Sequence, residues 1–363
     1  MILKLLTSDN IKKLLNKILG TTASVIIAFL LLYFTFKNVD LNQVMQIIFN
    51  SSIPYFILFV ASFYLSHLLR AARWKLIIKS VKDISFLNSF TSIMVGYGVN
   101  CGVPRLGELY RSFFIGKLEG ISRTAALGTI IVERIIDVFF LGLSVFVSVI
   151  IYSGNLYSQI VWLKNTLIYG SIIIIVFVLF LFALVKKRDV FISLAEKFFS
   201  VFSTKRTQHI KTIIQKLLDG FGSIKDGKIF LWIINYSILI MLVYGLTSYL
   251  AFYALRMNFN NDISFEMGWI VMTLSAFGIV IPTPGGTGSY HIIVKSVLET
   301  LYGFSSTESS AFAIMTHSFS YIAFISTMFT FVKLTNVFRT KSNLEKVNFI
   351  SVIKSADKED ENI

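Results

Sequence analysis

The sequence predicts an all-α polytopic membrane protein: six full transmembrane helices plus two oppositely oriented re-entrant broken-helix hairpins, inverted-repeat-like, with a cytoplasmic interfacial amphipathic helix. Three observations carry that expectation. Hydrophobic residues make up 55% of the 363 residues and the mean hydropathy is +0.72, above the roughly 45 to 50% apolar usage of soluble domains. Several uninterrupted apolar runs approach or exceed the roughly 20 residues a helix needs to cross a bilayer, and none alternates as an outer-membrane strand does. Two further runs are broken at corresponding places in the two halves. One break is Asn100-Cys101-Gly102-Val103-Pro104-Arg105-Leu106-Gly107-Glu108-Leu109-Tyr110-Arg111, and the other is Pro282-Thr283-Pro284-Gly285-Gly286-Thr287-Gly288-Ser289-Tyr290-His291. Paired interruptions of this kind point to a transporter-type site near the bilayer midplane.

The elements follow in order within a single membrane domain, 1–335. Residues 18–36 form span one; after Lys12, Lys13 and Lys17 they lack a small-residue cleavage site and are expected to stay as a signal anchor. Span two covers 53–69 and closes on Arg70, Arg73 and Trp74, a basic and aromatic cluster expected at the membrane interface. The first re-entrant segment covers 88–120. Its descending arm contains Gly96, Gly98, Asn100 and Gly102, and its return arm starts at Pro104, a residue favoured at helix N-termini. Span three covers 124–151 and span four 166–185. Over 189–228, Ile210, Ile213, Ile214, Leu217, Leu218, Phe221 and Ile224 share one helical face, predicting a helix that lies in the head-group region. Span five covers 229–254, the second re-entrant segment 267–303 and span six 308–332. The charged tail, 336–363, is expected to be disordered.

The net charge of +14 comes from Lys and Arg beside the apolar runs, without any nucleic-acid reading motif. Anionic lipid head groups are its expected partners. With both termini in the cytoplasm, Lys4 to Lys17, Arg70 to Arg123, Lys186 to Lys228 and Lys333 onward fall inside. Only Lys37, Lys164 and Arg256 fall outside, which satisfies the positive-inside rule for the cytoplasmic membrane. The single cysteine, Cys101, excludes an internal disulfide framework, and no metal spacing or cofactor motif appears.

Non-helical backbone at membrane depth survives only inside protein or beside a wet cavity, so both breaks are expected to line one. In the first, the helix N-terminus near Pro104 offers free N–H groups. Arg105, Glu108 and Arg111, three residues apart on one face, suit a lipid phosphate, with Asn100 close by. The alternative is that Glu108 simply neutralises both arginines. In the second, Gly285, Gly286 and Gly288 allow a nest of N–H donors, with His291 and Lys295 beyond it; the alternative is a tight turn chosen for packing. On span three, Glu133, Arg134 and Asp137 form an intramembrane charge group, for pairing or for proton or ion coupling, with Arg105 or Arg111 as outside partners. His67 and His317 read as bundle histidines or proton relays. Ser289 with His291 is the nearest approach to a hydrolytic pair.

Together, Arg70-Ala71-Ala72-Arg73-Trp74, Asn100 with Pro104 to Glu108 and Arg111, Glu133-Arg134 with Asp137, and Pro282 to Gly286 with Gly288 resemble the lysylphosphatidylglycerol synthase transmembrane region family of flippase-like membrane proteins. The resemblance covers about 18–335 and extends to the membrane half of the bacterial multiple-peptide-resistance factor, which flips aminoacylated phosphatidylglycerol while a separate soluble domain makes it. That soluble synthase domain is not expected here, because the chain ends shortly after its last span. His291 departs from the acidic residue the resemblance implies, which argues against a cationic head group and leaves phosphate recognition intact. The resemblance therefore implies a lipid flippase moving a phospholipid or polyprenyl-phosphate-type lipid between leaflets, without cofactor. Two alternatives remain: a membrane-embedded lipid head-group transferase or hydrolase, and a non-catalytic membrane partner of a separate synthase. A second copy of the chain or a lipid-modifying enzyme are the candidate protein partners.

Overall fold

The computed structural model describes residues 8–152, 226–257 and 262–348, with isolated positions between 165 and 193. Their regular secondary structure is all helix, without a strand. Most of span four and nearly all of the 189–228 segment lie outside them, as does the chain beyond 348.

Helix α1, Ser8–Phe36, meets α2, Leu41–Phe49, at an 89° bend. Asp40 makes the corner by capping α2: its Oδ1 accepts from the N–H groups of Asn42 and Gln43 at 2.9 and 3.3 Å. Helix α3, Ile53–Ile78, opens with Pro54 in its first turn and runs nine residues past the expected end of span two. A hairpin follows, α4 at Phe86–Gly102 and α5 at Leu106–Glu119, then α6 at Arg123–Ile151. Helix α7, Gly227–Ala254, packs along α3. The second hairpin consists of α8, Phe265–Ser275, two 3-10 turns at Ala276–Val280 and Pro284–Gly286, and α9, Ser289–Tyr302. Last comes α10, Ser306–Lys341, opened by a reciprocal Ser305 and Glu308 cap.

Helices α3, α6, α7 and α10 are long and apolar enough to cross a membrane, and the bent α1–α2 pair is a fifth candidate. The 36 residues of α10 extend about 54 Å at ~1.5 Å per residue, well beyond a ~30 Å hydrocarbon core. The helix runs on to Lys341, so the first residues of the tail expected to be disordered from 336 are helical. Asn336 bonds both the N–H and the C=O of Val347, folding 342–348 back on the helix, and Arg339 donates to the Leu118 carbonyl at 2.9 Å.

Two apolar cores divide the molecule. One gathers Phe59, Phe140, Met241, Phe252, Leu274, Val294 and Phe312 around the α8–α9 hairpin. The other gathers Trp74, Ile93, Phe114, Ile130, Ile233 and Met328 around the α4–α5 hairpin. Each of α3, α6, α7 and α10 contributes to both, and the polar side chains of these helices cluster where one core gives way to the other. Helix α6 shows the pattern most plainly: Ile130 and Val132 belong to one core, Phe140 and Val145 to the other, and Glu133, Arg134 and Asp137 lie between.

Candidate functional site

Arg70 and Arg73, one turn apart on α3, face Glu133 and Asp137, one turn apart on α6, because those spacings place each pair on one helical face. Arg70 Nη1 lies 2.9 Å from Glu133 Oε1 and 2.6 Å from Asp137 Oδ2. Arg73 Nη2 lies 2.5 Å from Asp137 Oδ1 and 3.5 Å from Glu133 Oε1. From the first hairpin, Arg111 Nη1 reaches Glu133 Oε2 at 2.7 Å while its guanidinium stacks 3.7 Å above the Trp74 ring. Arg134 Nη2 stands 3.7 and 3.6 Å from the two carboxylates. On α7, Ser237 accepts from Arg73, and the Tyr244 hydroxyl accepts twice from Arg70.

Arg70, Arg73 and Trp74, expected at the membrane interface, are instead buried inside the bundle. The reason is electrostatic: carboxylates on α6 offer charged partners that let α3 carry arginines past the end of its apolar run. Among the described residues, four guanidiniums share two carboxylates here, an excess of two positive charges, and Arg73 Nε, Arg111 Nε and Nη2, and Arg134 Nε are buried N–H groups without a hydrogen-bond partner. Arg134 remains 38% exposed in its side chain, so the cluster has an open edge.

The first break separates the residues expected to share a phosphate. Arg105 sits at φ 60° outside α5 and is exposed, whereas Arg111 is buried within α5, so the three-residue spacing does not form one helical face. Asn100 caps α5 from across the hairpin: its Oδ1 accepts from Gly107 N at 2.7 Å and its amide donates to Glu108 at 3.3 Å. Gly96 and Gly107 bring the two arms into backbone contact, because a Cβ on Gly107 would collide with the Gly96 carbonyl and the Asn100 side chain.

In the second break, Gly285, Gly286 and Gly288 adopt φ of 53°, 79° and 85°, as their glycine identity led one to expect. The expected nest of free donors is used internally: Gly286 N bonds Thr283 O, Thr287 N bonds Pro284 O, and Gly288 N bonds His291 Nδ1. Ser289 donates to the carbonyls of Gly278 and Gly286, and so ties the turn rather than pairing with His291. Lys295 donates to the Thr35 carbonyl in the last turn of α1 at 2.6 Å.

The two tips meet. Tyr321 of α10 places its hydroxyl 2.5 Å from the Pro284 carbonyl, 2.8 Å from Thr287 Oγ1 and 3.3 Å from the Cys101 carbonyl at the end of α4. His317 packs on Tyr321, and His67 lies in an aromatic cluster with Phe63, Tyr97 and Phe324. An outward-opening groove of about 500 Å³ runs between α3, α4 and α10, lined by Tyr64, Leu68, Phe90, Thr327 and Phe331 and by none of the charged cluster.

Helices long enough to span, two apolar cores and a charged seam between them define a multi-pass helical membrane protein. The chain belongs to the family described as the lysylphosphatidylglycerol synthase TM region, whose family model matches residues 21–326. It is similar to a UPF0104 membrane protein of Methanocaldococcus jannaschii, 28% identical over 169 residues that cover 45% of this chain and 50% of the relative. It is also similar to a UPF0104 membrane protein of Methanothermobacter thermautotrophicus, 25% identical over 261 residues covering 67% of this chain and 73% of that protein. The chain thus spans about half the length of the first of these relatives. No solved structure matches it.

Proposed function

We propose that this chain is a lipid transporter rather than an enzyme, and that it moves a phospholipid or lipid-linked phosphate between the leaflets of the cytoplasmic membrane. The observation that carries this reading is the surplus of positive charge in the seam among the described residues, with guanidinium N–H groups on Arg111 and Arg134 that none of those residues accepts from. Uncompensated charge inside a membrane protein is costly and marks a substrate path, and a phosphate monoanion or dianion supplies what these donors lack. The apolar groove suits a hydrocarbon chain of the same lipid.

In this reading the two hairpins are re-entrant and enter from opposite faces, since each belongs to a different core and their tips touch at Tyr321. Helix α6 ends at one face and α7 begins at the other, as a six-span count requires. The basic ends of α3, α5 and α10 gather at the cytoplasmic face, where Lys82 meets Glu119 and Arg339 meets Leu118. Arg111 and Arg134 hold the phosphate, Arg70 and Arg73 fix the carboxylates, and the glycine turn closes the outer side.

The test is flipping of fluorescent phosphatidylglycerol in proteoliposomes. Arg134→Gln removes one charge-assisted hydrogen bond of about 1.5 to 3 kcal/mol, so flipping should slow by roughly tenfold to a hundredfold, with partial rescue by Arg134→Lys. Equal rates for wild type and Arg134→Gln overturn the assignment, and a new lipid species in mass spectra would favour a head-group enzyme instead.

A further inference from the structure

The histidines under the glycine turn take no part in the phosphate site, yet their geometry is specific. His291 is buried in the first turn of α9, and its Nδ1 accepts the Gly288 N–H at 3.3 Å. An accepting Nδ1 fixes the tautomer: the ring is neutral and carries its proton on Nε2. The His317 ring lies 4.5 Å away, and its Nε2 is 3.3 Å from Thr287 Oγ1, which is 2.8 Å from the Tyr321 hydroxyl. That hydroxyl joins the two hairpin tips through Pro284 and Cys101. A chain of contacts therefore links the His291 ring, through His317, Thr287 and Tyr321, to the contact between the hairpins.

The groups facing His291 leave it without a counter-charge. Helix α1 presents the Phe36 ring, edge-on at 5.6 Å; α10 presents His317 and Tyr321; α9 itself presents Tyr290 and, one turn on, the cation of Lys295, whose neighbour Glu299 lies 3.9 Å from it. Among the described residues no carboxylate pairs with either imidazole. A proton on His291 Nδ1 would turn the acceptor into a donor that faces the Gly288 N–H. It would also put positive charge at the positive end of α9. The bond from Gly288 must break, which frees the turn that carries Thr287.

We propose that His291 is a proton-binding site whose occupancy releases the junction between the two hairpin tips. The consequence, that lipid movement is proton-linked, rests on the transport reading above. The proton comes from the aqueous phase and leaves by the same route when the turn re-forms.

Two measurements on the full chain separate these statements. Amide exchange of the segment 282–292, corrected for the intrinsic pH dependence of exchange, should accelerate on acidification by up to about tenfold per pH unit. His291→Asn keeps an acceptor at the Nδ1 position without a titrating nitrogen, and should abolish that acceleration. A flat wild-type profile, which needs no variant, or an identical acid response in His291→Asn, overturns the site. Flipping of phosphatidylglycerol in proteoliposomes should rise with acidity in wild type and lose that dependence in His291→Asn. An exchange response without any flipping sustains the proton site and overturns the transport reading instead.

Discussion

Arg73 has no exposed side-chain surface, and three groups hold it: Asp137, the Ser237 hydroxyl and, at 3.5 Å, Glu133. Arg73→Met would remove the partner of Asp137 Oδ1 while Arg70 still holds Oδ2 at 2.6 Å. The loss is that of a charge-assisted hydrogen bond, about 1.5 to 3 kcal/mol, to be read as a lower unfolding midpoint in detergent. Arg134 is 38% exposed in its side chain, and Arg134→Gln should change stability by no more than about 1 kcal/mol. A large loss for both would mean that the cluster is wholly structural. The sequence disclosed the carboxylates, because charges inside an apolar run stand out, and offered Arg105 or Arg111 as their outside partner, of which Arg111 reaches Glu133. It did not disclose Arg70 and Arg73 as their partners. These two follow an apolar run directly, where the hydropathy pattern reads as an interface, and the residue that places Arg70 inside, Glu133, is 63 positions away. No local pattern records a pairing at that distance.

At the scale of elements, the α4–α5 hairpin depends on a missing side chain. Gly107→Ala would drive its Cβ into the Gly96 carbonyl, so the arms must separate, at a cost of about 1 to 3 kcal/mol. Gly102→Ala, with nothing within 4 Å of the added carbon, should leave the unfolding midpoint unchanged. If both substitutions behave alike, the arms are not in contact. Both breaks were legible from glycine and proline placement, but the helix start was not. Pro104 favours a start at itself, whereas the chain turns through a left-handed Arg105 and begins α5 at Leu106, which separates Arg105 from the face of Arg111. The bend between α1 and α2 had a readable cue in Asp40, a good capping residue ahead of an apolar helix. Without glycine or proline at the corner, that cue is easily passed over.

For the whole molecule, the connections sort to two ends. Lys82 and Glu119 meet near the ends of α3 and α5, whereas Ser52 N bonds the Ala254 carbonyl and Tyr152 the Leu301 carbonyl at the other end. In a Cys101→Ser background, a membrane-impermeant maleimide added to intact cells should label Lys37→Cys and spare Lys82→Cys. The reverse pattern would invert the orientation, and equal labelling would refute the division into two ends. The class of protein, a multi-pass helical membrane protein, could be read from hydropathy, since that is set by the solvent each segment meets. The two-core division could not, because it arises from which helices pack together.

The contact between Gly96 and Gly107 also constrains how the protein can move. With main chain resting on main chain there is no side chain to change rotamer, so the arms cannot scissor. The pair must travel as a single wedge, and any stroke has to pivot at its roots, on either side of Lys82 and Gly120. Those roots lie at the surface of the protein, where Lys82 and Gly120 are exposed.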